Sequence, residues 1–114
     1  MPGRLSTHVL DLTHGRPAAG MRIELWSLDG RHTLLKAVTT NADGRTDEAL
    51  LASAAVVVGT YELVFFVKDY FVTHHTDSPF LDRVPVRFAI ADARATYHVP
   101  LLVTPWAYST YRGS

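Results

Sequence analysis

Three features of this sequence predict an all-β fold: a two-sheet antiparallel β-sandwich with one short helix. Apolar and polar residues alternate with period two over several short runs. Turn signals built on Gly, Pro and Asp recur about every 8 to 12 residues. The pattern changes over 68–75, where the helix is expected. About seven or eight strands fit a chain of 114 residues. That length makes a single domain, 1–114, without repeats or linkers. By surface-to-volume scaling it buries roughly 65% of its unfolded surface, enough for one core. Any large ligand site then has to use the surface or a subunit boundary.

Residues 5–13 (LSTHVLDLT) are β-branched and apolar and run into the turn-rich stretch 15–20, giving a first strand and a loop. In 21–28 (MRIELWSL), Met21, Ile23 and Leu25 alternate with Arg22 and Glu24, the signature of a sheet with one dry face. Asp29-Gly30 separates this run from 32–40, and Asp-Gly supplies the positive φ of a tight antiparallel hairpin. A second Asp-Gly, Asp43-Gly44, presents Arg45. Residues 48–58 mix helix-favouring Ala and Leu with strand-favouring Val, so they are expected to be irregular and to lead into a strand. The nearly unbroken apolar run 61–67 (YELVFFV) predicts a strand covered on both faces. A two-turn helix is expected over 68–75, ended by Ser78 and Pro79. Strands at 84–91, 96–104 and 107–112, with Pro105 and Trp106 marking the last turn, complete the chain.

Composition narrows the function classes. Eleven Lys plus Arg balance eleven Asp plus Glu, so no net field draws the chain toward nucleic acid or an anionic membrane, and neither is an expected partner. With no cysteine, disulfides, thiolate zinc sites and cysteine nucleophiles are impossible. Met1 to Arg4 opens into no apolar leader and no run approaches the ~20 apolar residues of a membrane span, so a cytoplasmic location is expected. No HxH or HExxH spacing, phosphate loop or GxSxG elbow occurs, so neither a metal nor another cofactor is expected.

The histidines sort by strand parity. His8 shares a face with Leu10, while Thr7 and Val9 point the other way; His98 shares a face with Pro100 and Leu102, opposite Val99, Leu101 and Val103. Both imidazoles therefore lie opposite the better core row. A face that mixes Leu, Pro and His without charge suits a subunit contact or pocket wall. On the same reasoning Arg45 is an exposed turn residue, and His14, His32, His74 and His75 belong to the solvated surface.

STHVLD, then Gly15, Pro17 and Ala18, DGR at 43–45, FLDRVPVRF at 80–88 and YHVPLLVTPWAYSTYRGS at 97–114 together resemble the transthyretin-like 5-hydroxyisourate hydrolases. The resemblance covers nearly the whole chain, and its most specific element is the tetrapeptide Tyr111, Arg112, Gly113, Ser114. Transthyretins that only carry hormones lack this ending and the two strand histidines. The resemblance implies a transthyretin-like homotetramer, a dimer of dimers, with active sites in the channel between dimers. It implies hydrolysis of 5-hydroxyisourate to 2-oxo-4-hydroxy-4-carboxy-5-ureidoimidazoline in urate catabolism, without a cofactor.

By motif the resemblance makes His8, Arg45, His98 and Ser114 catalytic, with His8, Arg45, Tyr111, Arg112 and Gly113 binding substrate. These residue types suit the chemistry. Imidazole titrates near ~6.5 and serves as a general base for water, although the sequence leaves open whether His98 or His8 does so. The Arg45 fork suits negative charge developing on a carbonyl oxygen. Tyr111 is expected to wall a flat slot, the Ser114 hydroxyl and chain-end carboxylate to complete the hydrogen bonding, and Arg112 to support the chain end by an ion pair. The rival from another class is a non-catalytic transthyretin-like protein that binds a small ligand.

Overall fold

The computed structural model describes residues 2–114, so Met1 of the predicted domain lies outside the described residues. In chain order the elements are β1 (Arg4–Asp11), β2 (Arg16–Pro17), β3 (Arg22–Ser27), β4 (Thr33–Thr39), β5 (Leu51–Ala52), a 3-10 turn (Ser53–Ala55), β6 (Gly59–Phe66), α1 (Val67–Thr73), β7 (Arg83–Ile90), β8 (Thr96–Val103) and β9 (Tyr108–Thr110). One sheet runs β2-β1-β8-β9, with β5 also on β1; the other runs β4-β3-β6-β7. Among the described residues no helix is long and apolar enough to cross a membrane.

The period-two pattern becomes the core. Leu5 and Val9 of β1, Leu101 and Val103 of β8, Ile23 and Leu25 of β3, and Leu63 and Phe65 of β6 are fully buried in one cluster between the sheets. Each such side chain contributes about 1.5–3 kcal/mol relative to exposure. Thr7, on the same core-facing row, satisfies its hydroxyl by donating to the Val99 carbonyl at 2.7 Å, as burial of a polar group requires.

Three expectations need correction. β1 and β8 pair in parallel, inside a fold whose other pairings are antiparallel. Nothing local could reveal this, since the two strands are joined by most of the chain. The β3–β4 connection is not a two-residue hairpin: only Gly30 has positive φ, and the Asp29 carboxylate accepts the Thr60 N–H at 3.0 Å instead. β6 is not dry on both faces. Tyr61, Leu63 and Phe65 are buried, while Glu62 and Val64 are half-buried on the outer face beside Trp26 and Arg83.

His14 is exposed, as expected, and in addition holds a buried carboxylate. Asp11, fully buried at the end of β1, accepts the Tyr70 hydroxyl of α1 at 2.7 Å, the His14 ring at 2.6 Å and the His14 N–H at 3.0 Å. Burial alone raises the Asp11 pKa, but these donors outweigh it and the net shift is downward from 3.8. Burial also pushes the Tyr70 hydroxyl up, so it remains a donor.

A carboxylate depressed in the folded state contributes stability that is present above its unfolded pKa and is lost as pH falls through the folded value. The thermal midpoint should therefore fall as pH drops below about 4. Asp11→Asn should lower stability at neutral pH by roughly 1–3 kcal/mol and flatten that acid limb. Unfolding curves between neutral and acid pH check this; parallel slopes for variant and parent would remove Asp11 from the account.

Candidate active site

The parallel register of β1 and β8 sets Ser6 opposite His98 and His8 opposite Pro100. Alternation turns Ser6, His8 and His98 to the outer face, where all three are half-buried, while their sequence neighbours Leu5, Thr7, Tyr97 and Val99 are buried on the core side. The strand-parity expectation for both histidines holds. The Ser6 hydroxyl lies 2.9 Å from His98 Nδ1.

The DGR segment is clamped onto β1 next to these residues. Val9 N–H donates to the Gly44 carbonyl at 2.8 Å, and His8 Nε2 lies 2.9 Å from the Asp43 carbonyl oxygen. A carbonyl only accepts, so His8 Nε2 carries the proton and Nδ1 is the nitrogen left for accepting one. Gly44 is required twice over. Its φ is +74°, and a Cβ there would sit 2.4 Å from the Val9 carbonyl oxygen. The turn is closed by Asn41, whose side-chain oxygen accepts the Asp43 and Arg45 N–H groups. Arg45 is thus held at its backbone, while among the described residues its guanidinium makes no ion pair.

The last residues return alongside β8. β9 pairs with Leu101–Val103, and Pro100, lacking an N–H, interrupts the ladder. Thr110 hydroxyl donates to the Pro100 carbonyl at 2.7 Å. Pairing resumes at Gly113, whose N–H donates to the His98 carbonyl at 2.7 Å. Arg112 anchors this segment differently from expectation. Among the described residues it makes no ion pair but donates to the Thr96 carbonyl at 3.0 Å and lies over the Tyr97 ring at 4.5 Å. The reason is positional: β8 offers a carbonyl and an aromatic face there, and no carboxylate.

These pieces border one polar cleft of about 390 Å³, lined among others by Arg4, Ser6, Arg45, Glu48, His98 and Ser114. Of the residues singled out from sequence, His98, Arg45 and Ser114 come together in it, and Gly113 packs behind the His98 ring. His8 does not line the cleft but is close enough to act on His98 electrostatically. Tyr111 does not wall this cleft within the chain. It is 59% exposed and borders a separate, more apolar groove with Phe88, Tyr97 and Val99.

Burial first, then the Arg45 charge, then His8, lower the His98 pKa below its ordinary 6.5. At neutral pH that imidazole is largely uncharged and able to take a proton, beside a cation that makes no ion pair among the described residues. Such a pair suits hydrolysis of a polar carbonyl compound. Sequence reasoning missed Ser6, Arg4 and Glu48. Ser6 shares His8's parity, which was visible, but its link to His98 needs the parallel register, which was not.

The model of the HIUase/Transthyretin family matches residues 5–113. A 5-hydroxyisourate hydrolase 2 of Rhizobium meliloti (strain 1021) is 55% identical, with 98% of this chain and 97% of that protein covered. The structure of Klebsiella pneumoniae 5-hydroxyisourate hydrolase has a TM-score of 0.84 at 34% identity, with 100% of both chains covered. A crystal structure of (S)-allantoin synthase reaches a TM-score of 0.94 at 44% identity, covering 98% of this chain and 44% of that one, so this chain spans less than half of it. With this coverage and identity, the chain belongs to the HIUase/Transthyretin family.

Proposed function

We propose that this chain, as a single domain of residues 1–114, hydrolyses 5-hydroxyisourate to 2-oxo-4-hydroxy-4-carboxy-5-ureidoimidazoline in urate breakdown. The observation that carries the reading is the cleft in which an uncharged His98 meets an Arg45 guanidinium without an ion-pair partner among the described residues. The names of the relatives at matching length support the substrate.

Water adds to a ring carbonyl carbon while His98 takes its proton, and Arg45 stabilises the charge that develops on the carbonyl oxygen. Collapse breaks the ring C–N bond, and the departing nitrogen recovers the proton from the imidazolium. His98 is preferred over His8 as base because it lines the cleft, whereas His8 commits Nε2–H to Asp43. In this reading His8 orients the site and Ser114 supplies a hydroxyl to the substrate.

The active unit is a cytoplasmic homotetramer, a dimer of dimers. The exposed, stacked pair Phe80 and Trp106, with ring centroids 6.4 Å apart, supports a covered apolar surface. Tyr111 would reach substrate only from a neighbouring copy.

The test generates 5-hydroxyisourate from urate with a urate oxidase and follows its ultraviolet decay with and without the protein. Accelerated decay is expected, with light scattering reporting four chains. Binding without acceleration would replace the hydrolase by a small-ligand carrier.

A further inference from the structure

Two neighbours specify the two edges of the His98 ring. On the β1 side, Ser6 Oγ lies 2.9 Å from Nδ1. On the other side, the backbone of Gly113 approaches so closely that a Cβ there would stand 2.5 Å from Cδ2. The ring's polar edge therefore faces a hydroxyl and its C–H edge faces a glycine. A half-turn of the ring would set Nδ1 against Gly113, take it from Ser6, and leave a carbon beside the hydroxyl. The orientation is over-determined by β1 on one side of β8 and by the segment after β9 on the other.

A hydroxyl both donates and accepts, so contact alone permits either tautomer. The two differ in what they leave at Nε2. If Ser6 donated to Nδ1, Nε2 would carry the hydrogen, and His98 would add one more donor to a cleft already holding Arg4 and Arg45. If Ser6 accepts from Nδ1–H, Nε2 keeps its lone pair. Only the second arrangement survives protonation, because an imidazolium donates from both nitrogens and Ser6 Oγ remains an acceptor throughout.

We propose that Ser6 is a positioning residue whose hydroxyl accepts Nδ1–H of His98, holding the imidazole in the tautomer with Nε2 basic. A neutral partner orients the ring without placing a counter-charge beside it, which leaves His98 free to release the proton it has taken. Besides burial, Arg45 and His8 lower the His98 pKa, and the other charged groups lining the cleft with it are Arg4 from β1 and Glu48 from the segment before β5. Ser6 changes none of these charges.

The kinetic consequence rests on the hydrolase reading; the tautomeric one does not. Nitrogen-15 spectra of histidine-labelled protein, recorded above pH 7, should show His98 with Nδ1 protonated and Nε2 bare in the parent. Ser6→Ala should mix the two tautomers, and Ser6→Thr, which keeps the hydroxyl, should restore one. In the decay assay Ser6→Ala should lower kcat about tenfold, the rate equivalent of one hydrogen bond, with KM little changed, and Ser6→Thr should recover it. A parent protein with His98 protonated at Nε2 overturns the proposal whether or not any variant folds. So does a Ser6→Ala spectrum identical to the parent's. Absence of turnover in the parent would sink the hydrolase reading alone, and the spectra would still decide Ser6.

Discussion

Replacing His98 with asparagine should cut turnover of 5-hydroxyisourate by ~100-fold or more, the scale on which a general base contributes, while the sandwich remains folded. Both halves of that expectation come from the residue's position. The backbone of His98 carries the strand pairing, including the carbonyl that accepts Gly113 N–H at 2.7 Å, and substitution leaves it untouched. An asparagine amide is also short enough to keep a polar contact with Ser6, so the local packing survives. What disappears is the imidazole that lines the cleft.

The pH profile gives a second reading of the same residue. Burial, then Arg45, then His8 hold its pKa below 6.5. The base form consequently stays populated to lower pH than in a free imidazole, and the parent's acid limb should lie below that value. Stopped-flow decay of the substrate across that pH range measures both effects. Near-parental turnover in His98→Asn would transfer the role of base to another group, with His8 Nδ1 next in line.

The elements legible in the sequence were those whose signal is local. Alternation in 21–28 gives β3, Pro105 and Trp106 mark the turn into β9, and the odd stretch at 68–75 becomes α1. Parity alone placed His8 and His98 on the outer face, because a side-chain period of two does not depend on which strand lies alongside. Pairing partners were another matter. The parallel β1–β8 contact joins residues 92 positions apart. It creates the Ser6–His98 contact and fixes which side of His98 faces Gly113. Arg45 showed a related limit: Asp-Gly foretold a turn, but its docking on β1 through Val9 and His8 depends on tertiary hydrogen bonds. Tyr111 and Arg112 join the site only through the terminal motif of the resemblance, whereas their own contacts lead to Tyr97 and the second groove.

Gly113→Ala carries the second large expected effect, since one methyl group there meets the ring proposed as the general base. The added carbon would lie 2.5 Å from His98 Cδ2 and 3.2 Å from both Cβ and Cγ, well inside van der Waals contact. No positive φ is involved, so alanine's backbone preference is not the obstacle. Either the imidazole tilts away, losing its 2.9 Å contact with Ser6, or the terminal segment lifts, losing the Gly113 N–H bond to the His98 carbonyl and moving Ser114 out of the cleft. Both routes displace a catalytic group by something near an ångström, which costs on the order of 100-fold in rate when geometry is what the site supplies. Global stability should change little, because the segment lies beyond β9 and Gly113 contributes nothing to the buried cluster between the sheets. The measurement pairs kcat from the decay assay with a thermal midpoint. A large loss of kcat at an unchanged midpoint is expected. Parental kcat in Gly113→Ala would mean that the ring and the tail yield without consequence, and that the position of His98 against the terminal segment is not what sets the rate.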